Sequence, residues 1–131
     1  MPRDSVTLLH LSDPQFGKNH RFGNLGLPAP DDSFDSLLAR LTDDLTFLRE
    51  EEDLVPDLVV ISGDLAEEGK RSEFEDALKF VQGLLEHLEL GPDRTVVIPG
   101  NHDLNWAACR AYFNDCEADE RKPLPPYWAK W

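Results

Sequence analysis

Three short apolar runs along the chain predict the strands of a β-sheet. They cover residues 6–12, 58–62 and 95–99, and each is followed directly by glycine or aspartate. The second and third runs are continuous in valine, isoleucine and leucine, without an alternation of apolar and polar residues. Continuous runs are typical of parallel strands that are covered on both faces. We therefore expect a mainly parallel sheet with both faces covered.

Two segments between the predicted strands carry apolar residues at helical spacing. The recurring positions are Phe34, Leu37, Leu38, Leu41, Leu45 and Leu48 in the first segment, and Phe74, Ala77, Leu78, Val81, Leu85 and Leu88 in the second. We expect the second helix to begin with a capping box of Ser72 and Glu75 and to end at Gly91 and Pro92. Residues 104–116 predict a third helix.

The predicted order is therefore βαβαβα, which indicates an α/β fold with right-handed crossovers and a parallel sheet. Polar residues follow each strand: Asp13 after the first, Asp64 after the second, and Asn101, His102 and Asp103 after the third. Ligands of such sheets bind beyond the carboxyl ends of the strands. The sequence thus predicts that these residues gather at one edge of the sheet, which we call the rim.

Charge is the strongest compositional feature, because the 131 residues carry a formal net charge of −13. An acidic chain repels phosphate backbones, so nonspecific binding of nucleic acid is not expected unless bound cations or another domain reverse the local negative potential.

No apolar run is long enough to span a membrane, and we expect a cytoplasmic protein. Cys109 and Cys116 have neither a CxxC nor a zinc spacing and are interpreted as buried, reduced thiols.

The residue types at the rim suit divalent metals such as Mn²⁺, Fe or Zn²⁺, since no cysteine takes part. A central carboxylate, Asp64, can bridge two cations with one oxygen for each. Two close cations clamp a phosphate and lower the pKa of a shared water that attacks phosphorus. His102 is placed to protonate the leaving oxygen, and Asp103 to orient His102.

Three motifs carry a family resemblance: "SDPQ", "SGDL" and "PGNHDL", in this order and separated by helices. They resemble the first three motifs of the calcineurin-like metallophosphoesterases, over about the first 105 residues. The resemblance implies half of a metallophosphoesterase-type fold and metal-dependent hydrolysis of a phosphate ester. It implies that Asp13 binds the first of two divalent metal ions, that Asp64 bridges both, and that Asn101 binds the second. His102 would lie beside the leaving group, supported by Asp103.

The chain departs from the family pattern in two respects. The family's first motif is usually Asp-x-His, whereas here Gln15 stands in the histidine position and is a weaker, neutral ligand. The later histidine motifs of the family have no counterpart, and His102 is the last histidine. We therefore expect an incomplete site with partial metal occupancy. His20, in a loop with several glycines, is a possible additional ligand, although a plain loop residue is the preferred interpretation.

The remaining histidines are given structural roles. His10 lies inside the first strand and is expected to be packed or hydrogen-bonded, and His87 near the end of the second helix is expected to be solvated.

A P-loop is not supported, because "GDLAEEGKR" has the wrong spacing and lacks Ser or Thr after the lysine. A second hypothesis is a catalytically degenerate domain that senses or recruits a partner within a larger protein.

The chain is interpreted as one domain, residues 1–131, forming the amino-terminal portion of a longer protein. Its Pro- and aromatic-rich tail, residues 119–131, contains Tyr127, Trp128 and Trp131, and aromatic side chains of this size normally bury large areas. The expected partners are a phosphate-ester substrate, and a downstream domain or a second copy contacted through this tail. The substrate could be a mono- or diester, a nucleotide, a nucleic acid or a phosphoprotein.

Overall fold

The computed structural model describes residues 5–20 and 37–121, which form three strands and three helices in the predicted order. The elements are β1 (Leu8–Ser12), α1 (Leu37–Glu52), β2 (Leu58–Ser62), α2 (Arg71–Leu88), β3 (Thr95–Ile98) and α3 (Trp106–Ala118), with a 3-10 turn at Pro92–Arg94 before β3. The expectations for Phe34, at the start of the first helix, and for the aromatic tail residues Tyr127, Trp128 and Trp131 fall outside the described residues.

The three strands form one parallel sheet with β2 in the centre. In the register, Leu9 lies opposite Val59 and Ile61 lies opposite Val97. The prediction of an α/β fold with a parallel sheet is confirmed. The second strand has the predicted bounds, the first begins two residues later than residue 6, and the third ends one residue before residue 99.

The two crossover helices pack on the same face of the sheet. Val59 and Ile61 of β2 are fully buried in one core with Leu45 of α1 and with Phe80 and Leu84 of α2. A sheet whose strands follow one another in chain order, joined by right-handed crossovers, places successive helices on one side. The core is therefore a two-layer arrangement of helix on sheet.

The expected cover on both faces of the sheet is wrong for the part of the chain that the structure describes. Leu8 of β1 and Val96 and Ile98 of β3 point away from the face of Val59 and Ile61, and they are 51%, 45% and 52% exposed. The apolar pattern of a strand reports the character of its side chains but not which segment covers them. Both described crossovers lie on the face of Val59 and Ile61, and among the described residues the opposite face remains partly exposed at Leu8, Val96 and Ile98.

The amino end of α2 is capped differently from the prediction. Glu73, which is buried, accepts hydrogen bonds from the backbone amides of Lys70 (3.0 Å) and Glu68 (2.9 Å). Ser72 lies inside the first turn of the helix, so the predicted pairing with Glu75 is wrong. The carboxylate at the third helical position has the reach to satisfy amides of the preceding loop, and here that position is Glu73.

The carboxyl end of α2 also comes earlier than Gly91 and Pro92. Glu89 adopts a left-handed conformation (φ 58°), and the Leu90 amide donates to the Leu85 carbonyl at 3.0 Å. This pattern closes a helix and satisfies its last carbonyl groups. Gly91 instead begins the 3-10 turn that leads into β3.

Helix α3 carries both cysteines, and neither forms a disulfide. Cys116 is buried as predicted, whereas Cys109 is half-buried. None of the helices in the described ranges combines the length and apolar character needed to cross a bilayer.

Two histidines outside the rim contact hydroxyl side chains of neighbouring elements. The His10 Nε2 lies 2.6 Å from the Ser62 hydroxyl across the β1–β2 pair, so the expectation that His10 is hydrogen-bonded is confirmed. His87 was expected to be solvated but is half-buried, with its Nε2 3.5 Å from the Thr46 hydroxyl of α1. The cause is the packing of α1 against α2, which covers part of the ring.

Candidate metal centre

The loops that follow β1 and β2 run side by side and bring the first two motifs together. The amide of Gln15 donates to the Asp64 carbonyl at 2.9 Å, and the Asp13 amide donates to the Gly63 carbonyl at 3.3 Å. A parallel bridge between Phe16 and the loop after β2 continues the pairing. Asp13 and Gln15 are therefore held next to the backbone of Asp64, as the positions at the strand ends predict.

The loop that follows β3 is fixed to Asp64 from the other side. The Gly63 amide donates to the Ile98 carbonyl at 2.7 Å, and the His102 amide donates to Asp64 Oδ1 at 2.8 Å. Asp64 is 8% exposed and is one of the two buried charged residues in the described ranges. Its carboxylate thus lies where the second and third motifs meet.

Close packing between these loops depends on Gly100. A methyl group at this position would lie 2.5 Å from the Asp64 backbone nitrogen and closer still to the Asp64 carboxylate. Real side chains essentially never approach backbone this closely. Only glycine lets the two loops make this contact.

Replacing Gly100 with alanine should therefore push the Asp64 loop away and lower the free energy of unfolding by about 2 kcal/mol. Chemical denaturation would measure the loss. The matched control is Gly91→Ala, whose methyl group would meet only the flexible Asp93 side chain. Equal stabilities of the two variants would contradict this account of the loop contact.

Three residues at the rim have left-handed backbone conformations, which are rare outside glycine. The φ angles are 55° for Asp13, 47° for Gln15 and 52° for Asp64. Each such residue costs on the order of 1 kcal/mol and persists only when its surroundings hold it there. Aspartate tolerates this region better than most residues, but Gln15 has no such preference. The strain at the rim therefore motivates a functional hypothesis for these positions.

Asp103 connects the second and third motif loops through both of its carboxylate oxygens. Oδ1 accepts the Ala66 amide at 2.7 Å, and Oδ2 accepts the Gly100 amide at 2.8 Å. The expected support of His102 by Asp103 therefore does not take the form of a hydrogen bond to the ring in this structure. Asp103 positions the loop backbone on which His102 sits.

The partner of the His102 ring is a backbone carbonyl that the sequence could not point to. The ring Nδ1 lies 2.7 Å from the Glu67 carbonyl oxygen. This hydrogen bond raises the pKa of His102 above its ordinary value, and the negative charges of Asp64 and Asp103 add to the effect. Because Nδ1 is engaged by the backbone carbonyl, Nε2 is the ring nitrogen that remains for another partner.

Glu67 itself was missed in the sequence, although its side chain also organises the site. Its carboxylate accepts the backbone amide of Asn19 at 3.0 Å and the side-chain amide of the same residue. These hydrogen bonds, led by that of the Asn19 backbone, lower the pKa of Glu67. Its position three residues after Asp64 is the only signal that the sequence offered. Glu67 therefore links the loop after β1 to the ring of His102.

A cleft of about 480 Å³ opens beside the first motif and contains His20. Asp13, Gln15 and Glu67 line the same cleft, and the His20 ring lies against Phe16 with 4.6 Å between ring centroids. The structure thus places the possible additional ligand in the same cleft as the first motif. Within residues 5–20 and 37–121, however, no group of three or more His, Cys, Asp or Glu side chains is arranged to hold a metal ion. The candidate ligand set depends on the amide oxygens of Gln15 and Asn101.

A family model for calcineurin-like phosphoesterases matches residues 6–130. The chain belongs to the calcineurin-like phosphoesterase family. The family resemblance of the three motifs is thereby confirmed. Comparison with curated proteins gives no match for this chain.

Family membership supports phosphoesterase-type hydrolysis in general, and the family generally uses divalent metals. The rim of this calcineurin-like phosphoesterase domain unites the three motifs through backbone hydrogen bonds and the Asp64 carboxylate.

Proposed function

We propose that the rim binds divalent metal and hydrolyses a phosphate ester. The observation that carries the proposal is the placement of Asp64, a buried carboxylate fixed between the loop of Asp13 and Gln15 and the loop of Asn101 and His102. Asp64 Oδ1 accepts the His102 amide, so the second oxygen is the one left for a cation. A buried carboxylate without a cationic partner is costly, and a bound cation would remove that cost.

The donor set fits a hard divalent ion. Asp13 and Gln15 would hold the first ion, Asn101 the second, and Asp64 would lie between the two. All four offer oxygen atoms, which suit Mn²⁺ better than Zn²⁺. When bound, such ions clamp the phosphate and lower the pKa of the attacking water. With few charged ligands, we expect weak binding and partial occupancy.

The chain's own residues supply the proton chemistry. The Glu67 carbonyl holds His102 through Nδ1, which leaves Nε2 to deliver a proton to the leaving oxygen. Asp103 fixes the loop by accepting amides from Ala66 and Gly100, so the imidazole is positioned before the substrate arrives.

Calorimetry with Mn²⁺ tests the proposal directly on Asp64. Asp64→Asn keeps an acceptor for the His102 amide but removes the negative charge, so Mn²⁺ affinity should fall at least about tenfold. Asp93→Asn is the matched control, because the Asp93 side chain is 81% exposed in the turn at the amino end of β3. Unchanged Mn²⁺ binding in Asp64→Asn would remove Asp64 from the site.

Replacing Gln15 with histidine should raise the affinity of the rim for Zn²⁺ by about tenfold, because imidazole is a better donor than an amide oxygen for this ion. Zn²⁺ competition against a chromogenic chelator measures the change. His20→Ala in the unmodified chain is the companion variant. If Gln15→His has no effect while His20→Ala weakens Zn²⁺ binding, the loop histidine supplies the ligand and Gln15 does not.

A second candidate function is a catalytically degenerate domain that senses or recruits a partner. Gln15 in place of histidine and the lack of a His, Cys, Asp and Glu cluster in the described part of the chain support it. A chain that binds no metal and leaves an aryl phosphate intact, yet binds a protein partner, would favour this function over hydrolysis.

A further inference from the structure

A second cleft, of about 510 Å³, opens beside His102 and is distinct from the cleft that contains His20. Its walls come from the loop after β2 and from the first turns of α3, where Trp106 and Arg110 line it. We propose that this cleft binds the base of a nucleotide whose phosphate lies at the rim. The inference rests on the function proposed above and names its substrate class.

Trp106 provides an aromatic surface that is fixed relative to the proposed catalytic residues. Its side chain is 48% exposed, and its indole Nε1 donates to the Asn101 carbonyl at 3.0 Å. The indole is therefore attached to the loop that carries Asn101 and His102. Every nucleobase has a flat aromatic face that can stack on such a ring, whichever base it is. A base on Trp106 would hold its phosphate ester next to His102.

Arg110 supplies hydrogen-bond donors beside this aromatic surface. It lies four residues after Trp106 on α3, which places both side chains on one face of the helix. Among the described residues, no hydrogen bond or ion pair engages its guanidinium. Lys70, the other cation in the cleft, is paired with Glu68. Two carboxylates line the same cleft, but Glu68 is paired with Lys70 and Glu67 accepts hydrogen bonds from Asn19, which leaves the Arg110 guanidinium to donate to a ligand.

A nucleobase matches these groups better than a plain aryl ester does. Guanidinium groups donate well to the ring nitrogen and carbonyl acceptors on the edge of a purine, and a simple aryl group has no such acceptors. The volume of about 510 Å³ is in the range of small-molecule sites. The net charge of −13 disfavours a long phosphate backbone, so a single nucleotide fits better than a nucleic-acid strand.

Calorimetry with the Mn²⁺-loaded chain tests the base site. GMP should bind at least about tenfold more tightly than ribose 5-phosphate, since only GMP places a base on Trp106. Trp106→Ala should remove this difference. Trp106→Phe should keep most of it, because the ring remains while the hydrogen bond to Asn101 is lost. Arg110→Gln should weaken GMP binding and leave ribose 5-phosphate binding unchanged.

Equal affinities for the two phosphates, or a difference that survives in Trp106→Ala, would overturn the base site and leave the proposed function intact. Equal losses in the alanine and phenylalanine variants would also overturn it, because Trp106 would then act only through Asn101. Failure of both phosphates to bind with Mn²⁺ would count against the proposed function itself. In that case an NMR titration with guanosine, which has no phosphate, tests the base site. Guanosine should shift the indole resonance of Trp106, which is assigned by comparison with Trp106→Phe. The absence of a shift would overturn the inference.

Discussion

Replacing His102 with glutamine is expected to slow the hydrolysis of an aryl phosphate by about a thousandfold, because the leaving oxygen loses its proton donor. The backbone amide that donates to Asp64 remains, so Mn²⁺ binding should change little. Initial rates of phosphate release in saturating Mn²⁺ measure the effect, with calorimetry to check metal binding.

The matched control for His102 is His87→Gln, on α2 and near Thr46 of α1. This variant should keep the full rate. A His102→Gln variant that hydrolyses the ester as fast as the parent would show that the imidazole takes no part in proton transfer, even if the metal site is real.

Replacing Phe80 with alanine is expected to lower the free energy of unfolding by about 4 kcal/mol. Phe80 is 1% exposed, and its ring contacts Phe16 with 5.2 Å between centroids. Domains of ordinary stability have about 5–15 kcal/mol in total, so a loss of this size leaves the chain near its unfolding threshold. Urea denaturation followed by circular dichroism measures it.

Phe74 on the same helix is the control, because it is 36% exposed. Phe74→Ala should cost less than half as much as Phe80→Ala. Since Phe16 also bridges the loops after β1 and β2, the Phe80 variant should weaken metal binding as well. Similar losses of stability in the two variants would contradict the position of the core beneath α2.

The central strand could be predicted from the sequence to the residue, whereas the ends of α2 could not. The apolar run at residues 58–62 is bounded by polar and glycine residues, so its limits are clear. The start of α2 depends on a choice between two nearby glutamates, Glu73 and Glu75. Burial of the Glu73 side chain against the preceding loop decides that choice, and burial is a property of the tertiary structure.

The gathering of Asp13, Asp64 and Asn101 at one edge follows from strand order, because parallel strands end on the same side of a sheet. The role of Asp103 does not follow from it. Its carboxylate accepts a hydrogen bond from the amide of Ala66, 37 residues earlier, and no local sequence pattern predicts such a contact. The Glu67 carbonyl that hydrogen-bonds to His102 is a main-chain group, so the residue type at position 67 does not indicate this contact.

Trp106 shows a different limit of sequence reasoning. Within the predicted third helix, residues 104–116, it is one apolar residue among several, and nothing in the sequence indicates that it lines a cleft beside the third motif. The structure separates it from the core residues by exposure and by its hydrogen bond to the Asn101 carbonyl. A functional role at such a position can be inferred only from the tertiary contacts of the side chain.

Anomalous X-ray scattering from crystals grown with Mn²⁺ is the most direct test of metal binding at the rim. We expect an anomalous peak in contact with the Asp64 carboxylate and with Asp13 or Asn101, and loss of that peak in Asp64→Asn crystals. A peak elsewhere on the acidic surface, or none at the rim while the Mn²⁺ concentration exceeds the dissociation constant measured in solution, would contradict it.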